Sequence, residues 1–375
     1  MNSLRAGQWI GHFGIDNAPV GFVTEGFATL SVEEDRPNVA IGCFVEGPTL
    51  PASRVEFSYH IDGAKFTATS LDEPEIFDIA RQSLVAARQH PDYAKFTVSN
   101  LITVEGEFQG DSVAGKWVGD SGMHGRFRLN DPMAAQYPAD VTMRWEEFKA
   151  HVAPLLKGAR QLFRGQGSNQ WHLTTSFHRL QRFDLKRYRN ENLGELAHRI
   201  NSTTTRRYSL PDPVSFGALL SLAQHHGYPT PILDWTRSPF IAAYFAFSSR
   251  ATREPNSFSR IFLFDQDAWR KAQPQPANIQ DPAPSVSIRQ FESYENPRHV
   301  PQQSYHTFST VADVAAWIRL SETKERKFLG IVDIPNTDRA DAMRELASMG
   351  ITAASMFPGL DGVCRGLKEE HFDFI

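Results

Sequence analysis

Arg164 lies in the run Phe163-Arg164-Gly165-Gln166, at the end of a strand expected over 160–165. An arginine where a strand ends, with glycines following, suits an anion clamp. Its guanidinium offers a planar donor fork to phosphate or carboxylate. A structural arginine tied to a carboxylate or to loop carbonyls is the plainer alternative. Residues 223–247 read AQHHGYPTPILDWTRSPFIAAYFAF. His225 and His226 fall in the last turn of a helix expected over 214–226, with Gly227 placed to end it. The helix dipole favours cationic side chains there, which explains two histidines without any reaction. Adjacent helical residues diverge by about 100°, so both rings do not meet on one ion, and further ligands at suitable spacing are absent. No metal is expected.

The sharper signal is Asp234-Trp235-Thr236-Arg237-Ser238-Pro239. Ser238 is a natural N-cap and Pro239 a natural first helical residue. Thr236 and Arg237 then sit beside the open amides of a helix N-terminus, a ready anion site. Trp235 offers a flat surface for a ring. Asp234 could orient Arg164, a histidine or a ribose hydroxyl. A capped turn around a buried tryptophan is the alternative. Phe240, Ala243, Tyr244 and Phe247 form a core stripe in which Tyr244 alone is open to another role. The basic stretch 178–207 reads as a solvated helix face, with a phosphate or nucleic-acid surface as the alternative.

Several elements must position these groups. A helix is expected over 143–157, with Trp145, Phe148, Val152 and Leu155 on one face. Strands are expected at 160–165, 259–265 and 328–335. Helices are expected near 190–202, 214–226, 239–249, 310–320, 338–349 and 359–370. Residues 271–288 read as an extended Pro-rich loop. Residues 1–130 are mostly β, with hairpin signals at Asp62-Gly63, Gly110-Asp111 and Asp120-Ser121-Gly122 and one helix at 74–88. A small barrel or sandwich follows. Residues 131–141 read as a linker, crossed by few contacts between a β domain at 1–130 and a second domain at 142–375.

Charge supports that division. Residues 1–130 hold 10 basic and 17 acidic side chains, and the remainder 29 and 26, so −7 stands against +3. The second part is too weakly basic for charge alone to mark a nucleic-acid binder. Cys43 and Cys364 share no motif, which argues against a disulfide scaffold or thiolate metal site and fits a reducing cytoplasm. No apolar run is long enough to span a bilayer, and no secretory signal is visible, so no membrane partner is expected.

Together these pieces resemble the FRG domain, over roughly 140–370. The resemblance rests on FRGQ with Trp171 and the following Ser176 and Arg179, on the 223–247 block, on Arg298 with Gln302-Gln303 and Phe308, and on GITAASMFPGLDG at 350–362. Ser304 stands where the family tends to have glycine. A fold-level likeness to ADP-ribosyltransferases is carried by the order of elements: a strand with a basic residue, a Thr/Ser segment before an A-x-Y-F-A helix, and a late polar segment. It implies that Arg164 holds NAD, with Gln166 and Arg298 beside it. Thr236, Ser238 and Tyr244 would pack the nicotinamide side, and Gln302 or Gln303 would contact the nicotinamide ribose. A clear Glu-x-Glu is missing, although Glu292 and Glu295 lie nearby.

The expected fold class is therefore α+β: an N-terminal mostly-β barrel or sandwich domain, then an α+β FRG domain, ADP-ribosyltransferase-like. The leading expectation is an NAD-consuming effector that modifies a protein or nucleic acid, in bacterial defence or toxicity. NAD would be a consumed substrate, because no dinucleotide-fold glycine fingerprint is present. One alternative is a non-catalytic module that binds or senses a nucleotide-like ligand. Another is a hydrolase or nuclease using His225 or His226 with Asp234.

Overall fold

The computed structural model describes residues 5–18, 24–44, 52–158, 160–249, 257–292, 294 and 297–373. Ten strands form the first sheet: β1 (Gly7–Gly14), β2 (Glu25–Val32), β3 (Asn38–Phe44), β4 (Ser53–Asp62), β5 (Lys65–Ser70), β6 (Glu75–Asp78), β7 (Ser83–Ala86), β8 (Ile102–Gln109), β9 (Ser112–Gly119) and β10 (His124–Asn130). Eight of them close into an antiparallel barrel in the order β1-β2-β3-β4-β5-β8-β9-β10, with β10 returning to β1 and β3 paired to β4. Alternation builds it: in β5, Phe66, Ala68 and Ser70 are buried while Lys65, Thr67 and Thr69 face water. All three hairpin turns read from the sequence join barrel strands.

The helix expected at 74–88 is instead the β6–β7 hairpin, attached to the start of β4. The Asp78 carboxylate accepts the Ala80 and Arg81 N–H groups at 2.9 and 3.1 Å, which turns the chain back. Ile79, placed to continue an apolar stripe, is 73% exposed. Phe77 packs with Ala52 and Ala283.

The barrel does not hang from a bare linker. Its outer wall, from β1 to β4, is docked on the rest of the chain. The Gln8 side chain donates to the Thr310 carbonyl at 3.2 Å and accepts the Ala312 N–H at 2.8 Å. Ile10 and Phe27 join the neighbouring core, where Phe27 meets Trp317 edge-on at 5.5 Å. The buried Glu33 carboxylate accepts the N–H groups of Phe183 and Asp184 at 2.7 and 3.0 Å and pairs with Arg182 and Arg187. Both arginines also hold Asp35, whose carboxyl they keep well below the usual carboxylate range. Arg54 reaches Asp184 at 2.6 Å, and Lys186 reaches Glu75 at 2.8 Å. The expectation of few contacts is overturned. The acidic barrel and the basic stretch are complementary, so the charge split marks an interface. In that stretch Arg182, Lys186 and Arg187 are paired with carboxylates of the barrel and so do not form a simple solvated face.

The second sheet has seven strands: β11 (Val141–Thr142), β12 (Gln161–Gln166), β13 (Ile232–Thr236), β14 (Phe258–Asp265), β15 (Val286–Arg289), β16 (Ser304–Ser309) and β17 (Leu329–Pro335). Their order is β11-β17-β14-β12-β13-β16-β15, antiparallel except for the β11–β17 pair. One core joins the helices Trp145–Val152, Pro239–Phe247 and Arg339–Ser348 to the sheet through Phe148, Ile241, Phe247 and Leu346. Another joins Gln266–Ala272 and Val314–Leu320 to it through Trp269, Trp317 and Ile318. The structure is mixed α and β, with a closed barrel rather than a sandwich. Among the described residues no helix is long and apolar enough to cross a membrane.

Candidate functional site

β12 and β13 pair at one register only, Phe163 opposite Thr236, whereas β12 and β14 pair over six. The first pair therefore splays, and a cleft of about 860 Å³ opens at the split. Phe163 points into the core between sheet and helix. Gly165 lets the helix Pro239–Phe247 lie on the strand: a Cβ there would stand 1.9 Å from the Ala242 carbonyl oxygen. Arg164, between them, crosses the split and donates through Nη1 to the Asp234 carbonyl. The Phe163-Arg164-Gly165 run thus combines a core anchor, a cleft cation and a close backbone approach.

Four arginines line the cleft, Arg164, Arg179, Arg298 and Arg365, and Asp234 is its single carboxylate among the described residues. Arg365 pairs with Glu369 at 3.1 Å and stacks on Phe357, over which Arg298 also lies. Arg164 and Arg179 use backbone carbonyls instead, those of Asp234 and Thr174, and neither makes a salt bridge to a described carboxylate. Burial lowers the pKa of both guanidinium groups; at Arg164 the nearby Asp234 opposes that shift and Arg179 adds to it. Arg164 Nε, Gln166 Oε1, Thr174 Oγ1 and His306 Nδ1 are buried without a hydrogen-bond partner among the described residues. Buried polar atoms normally find partners, so these four have hydrogen-bonding capacity left for water or a ligand in the cleft.

Asp234 is held from two sides. Gln224 Nε2 donates to its Oδ2 at 2.5 Å, and His306 Nε2 stands 3.4 Å from its Oδ1. Burial, opposed by Asp234, moves the His306 pKa down to about 4, so the ring is neutral near pH 7. The Asp234 side chain still keeps 54% of its surface open to the cleft. A second pair stands at the rim: His172 Nδ1 lies 2.7 Å from Asp313 Oδ2. Asp313 is buried and also caps the helix Val314–Leu320 through the Ala316 N–H. Such a carboxylate fixes the tautomer and the plane of the imidazole.

The sequence-derived residues divide accordingly. Arg164, Gln166, His225, Asp234, Trp235, Thr236, Arg298 and Gln302 line the cleft. His226, Ser238, Tyr244 and Gln303 are not among its lining residues. Trp235 contributes from the backbone side, because its indole is buried against Phe264 and donates to Thr307 Oγ1 at 3.0 Å. It is no open wall for a ring. Residues 232–236 are a strand, and alternation turns Leu233 and Trp235 into the core. Ser238 caps its helix as read, accepting the Ile241 N–H. Tyr244 is fully buried, its hydroxyl 3.2 Å from both Glu369 oxygens, with its pKa raised by burial and by that carboxylate. Helical phase turns it away from the cleft. Gln303 takes a left-handed backbone (φ +48°), and its carbonyl accepts the Arg237 N–H. Gln302 reaches the cleft and donates to the Met356 carbonyl at 2.9 Å. His225 lines the cleft and His226 is exposed, although their rings meet edge-on with centres 4.8 Å apart. Glu292 is exposed, and Glu295 lies outside the described residues.

Trp171, Phe245 and Phe357 supply the aromatic surface, and Trp171 is 47% exposed. Sequence reasoning missed His172, Asp313 and His306 as site residues. His172 and Asp313 are 141 positions apart, so no spacing could link them. His306 belongs to an unanticipated strand that sets it opposite Asp234. No group of three or more metal-ligating side chains occurs among the described residues.

No curated protein matches the chain. The family model of the FRG domain matches residues 159–255, which hold β12, β13 and the helix packed on them. The chain carries an FRG domain.

Proposed function

We propose that the cleft binds a nucleotide-type diphosphate and that NAD is the ligand it consumes. One observation carries the reading: Arg164 and Arg179 meet in one cleft, neither paired with a carboxylate among the described residues, at a site roomy enough for a dinucleotide. Desolvated guanidinium groups bind phosphate through charge-assisted, often paired hydrogen bonds. Trp171 and Phe357 offer ring faces. Asp234, oriented by Gln224 and His306, then takes the place the family likeness assigned to a late Glu or Gln. When the nicotinamide–ribose bond breaks, its electron pair leaves with nicotinamide and positive charge grows on the sugar. A fixed carboxylate stabilises that charge more than it stabilises the ground state. An acceptor hydroxyl or amine then bonds to C1′ and loses its proton. An effector that ADP-ribosylates a macromolecule would work this way.

A second reading has its own support. His172, oriented by Asp313 beside the arginines, is arranged as a general base or acid for hydrolysis of a phosphodiester. The experiment is to titrate ADP-ribose calorimetrically, then incubate the protein with labelled NAD and with protein, RNA and DNA acceptors, following nicotinamide release, label transfer and strand cleavage. Nicotinamide release that Asp234→Asn abolishes supports the first reading. Cleavage that His172→Ala abolishes, without nicotinamide release, replaces it with the second. Binding alone leaves a ligand-sensing module.

A further inference from the structure

The barrel has a cavity of its own, of about 210 Å³. Eight strands leave an interior that either fills with side chains or holds one small molecule. One end of this barrel is filled: Phe108 lies 5.6 Å from Trp9 and 5.5 Å from Phe66, ring centre to ring centre. Further along, the inward positions carry small residues, among them Ala28, Val39, Val55, Ala68 and Val104, and the space stays open. Protein interiors normally pack like molecular crystals and keep few voids larger than a water. An apolar cavity of about 150 Å³ is already enough to take up benzene.

The lining settles the chemistry. Among the described residues around the cavity there is no Asp, Glu, Lys, Arg or His. The few polar groups are partly committed: the Trp117 indole N–H donates to the Gly14 carbonyl at 3.2 Å, and Ser99 Oγ lies 2.5 Å from Ser121 Oγ. Burial pushes the Cys43 thiol up to about 12, so it too stays neutral. A charged guest would find no counter-ion here and would lose its hydration without compensation. An apolar guest would fill the void.

We infer that the barrel interior is a binding site for one small, uncharged, mainly apolar molecule, of the size of a fused two- or three-ring aromatic or a medium-chain alcohol. The cavity lies in the barrel and the proposed NAD site in the second sheet, so this inference does not rest on that reading.

The test uses the full chain and the neutral fluorophore 1-aminoanthracene. Saturable one-to-one binding is expected, with energy transfer from Trp117 at the cavity wall. 1-Decanol is expected to displace the probe at a concentration at least about tenfold below that needed with decanoate, because the carboxylate cannot be paired inside. Ala68→Phe and Val104→Phe each fill the space and are expected to abolish probe binding while far-ultraviolet circular dichroism is unchanged. Absence of saturable binding overturns the inference. So does displacement by decanoate equal to that by decanol, which needs no variant. Equal probe binding by either folded variant also overturns it, placing the probe on an outer surface such as the exposed Leu360, Val363 and Leu367.

Discussion

The barrel cavity and the cleft differ in every property that decides what a space can hold. Among the described residues, the first is about 210 Å³ with no charged side chain in its lining, and the second is about 860 Å³ with four arginines around one carboxylate. Topology produces the contrast. A closed antiparallel ring pairs its backbone groups within itself and turns alternate residues inward, so its interior is as apolar as those residues are. At the β12–β13 split the ladder stops after one register, and polar groups lose the partners a sheet would supply. Arg164 must satisfy part of that deficit, and it bonds to a backbone carbonyl. A broken ladder makes a polar site where an intact ring makes an apolar one.

The largest expected effect tests the polar half. Arg164→Ala should weaken binding of ADP-ribose by at least about thirtyfold, because a desolvated paired charge is worth about 2–5 kcal/mol. Arg164→Lys should recover little, since a point charge cannot reproduce the planar fork. Binding of 1-aminoanthracene in the barrel should not change. Calorimetry on the first ligand and fluorescence on the second read both arms. Equal loss at both sites would mean that the variant had simply unfolded the chain.

Gly165→Ala comes next. The added carbon would meet the Ala242 carbonyl at 1.9 Å and the Ala246 nitrogen at 2.8 Å, both backbone atoms of the helix on β12. The helix must shift, at a cost of about 1–3 kcal/mol. A denaturant midpoint lowered with an unchanged slope is the expected record. An unchanged midpoint would show that the helix is not seated as described.

A pH scan separates the two regions again. His306 beside the cleft and His178 nearby are buried, and burial holds them down to about 4 and about 3. An unfolded histidine titrates near 6.5, so both rings bind protons more readily in the unfolded chain. Their contribution is fully present above about pH 6.5 and is lost progressively as pH falls towards about 4. Asp35 at the barrel interface, held low by Arg187 and Arg182, has its own window below the ordinary carboxylate range. Tm should therefore be level from pH 8 to 7 and fall between 6.5 and 4.5. His306→Gln should flatten part of that fall. A wild-type Tm constant down to pH 4.5 would sink the assignment.

These experiments rest on features unequally legible in the sequence. Local signals read well. The three hairpin turns and the Ser238 cap depend on neighbours in the chain, and the structure has them. Pairings across long distances did not read. Residues 232–236 sit between Pro231 and Ser238-Pro239, and so looked like a turn before a helix. Only their pairing with β16 makes them a strand, and that strand turns Trp235 into the core. Residues 74–88 looked helical until β6 found β4. Asp313 and His172 meet across 141 positions that no local pattern connects. The charge split was visible from the start, but its meaning required knowing that Glu33 and Asp35 face Arg182 and Arg187.

The smallest effect decides between geometry and family likeness. The likeness placed Tyr244 on the nicotinamide side of the ligand. The structure puts it inside the core, its hydroxyl against Glu369. Glu369 also takes the Arg365 Nε–H at 3.1 Å, and Arg365 lines the cleft. Tyr244 is thus two side chains removed from any ligand. Tyr244→Phe removes one hydrogen bond to a buried carboxylate that keeps its arginine. The expected cost is about 1–2 kcal/mol of stability, read as a Tm lower by a few degrees. Affinity for ADP-ribose should change by less than about twofold, because the cleft keeps all four arginines. A tenfold loss of affinity with Tm unchanged would place the Tyr244 hydroxyl on the ligand. It would also require the helix Pro239–Phe247 to turn, carrying with it the Ala242 carbonyl that now lies over Gly165.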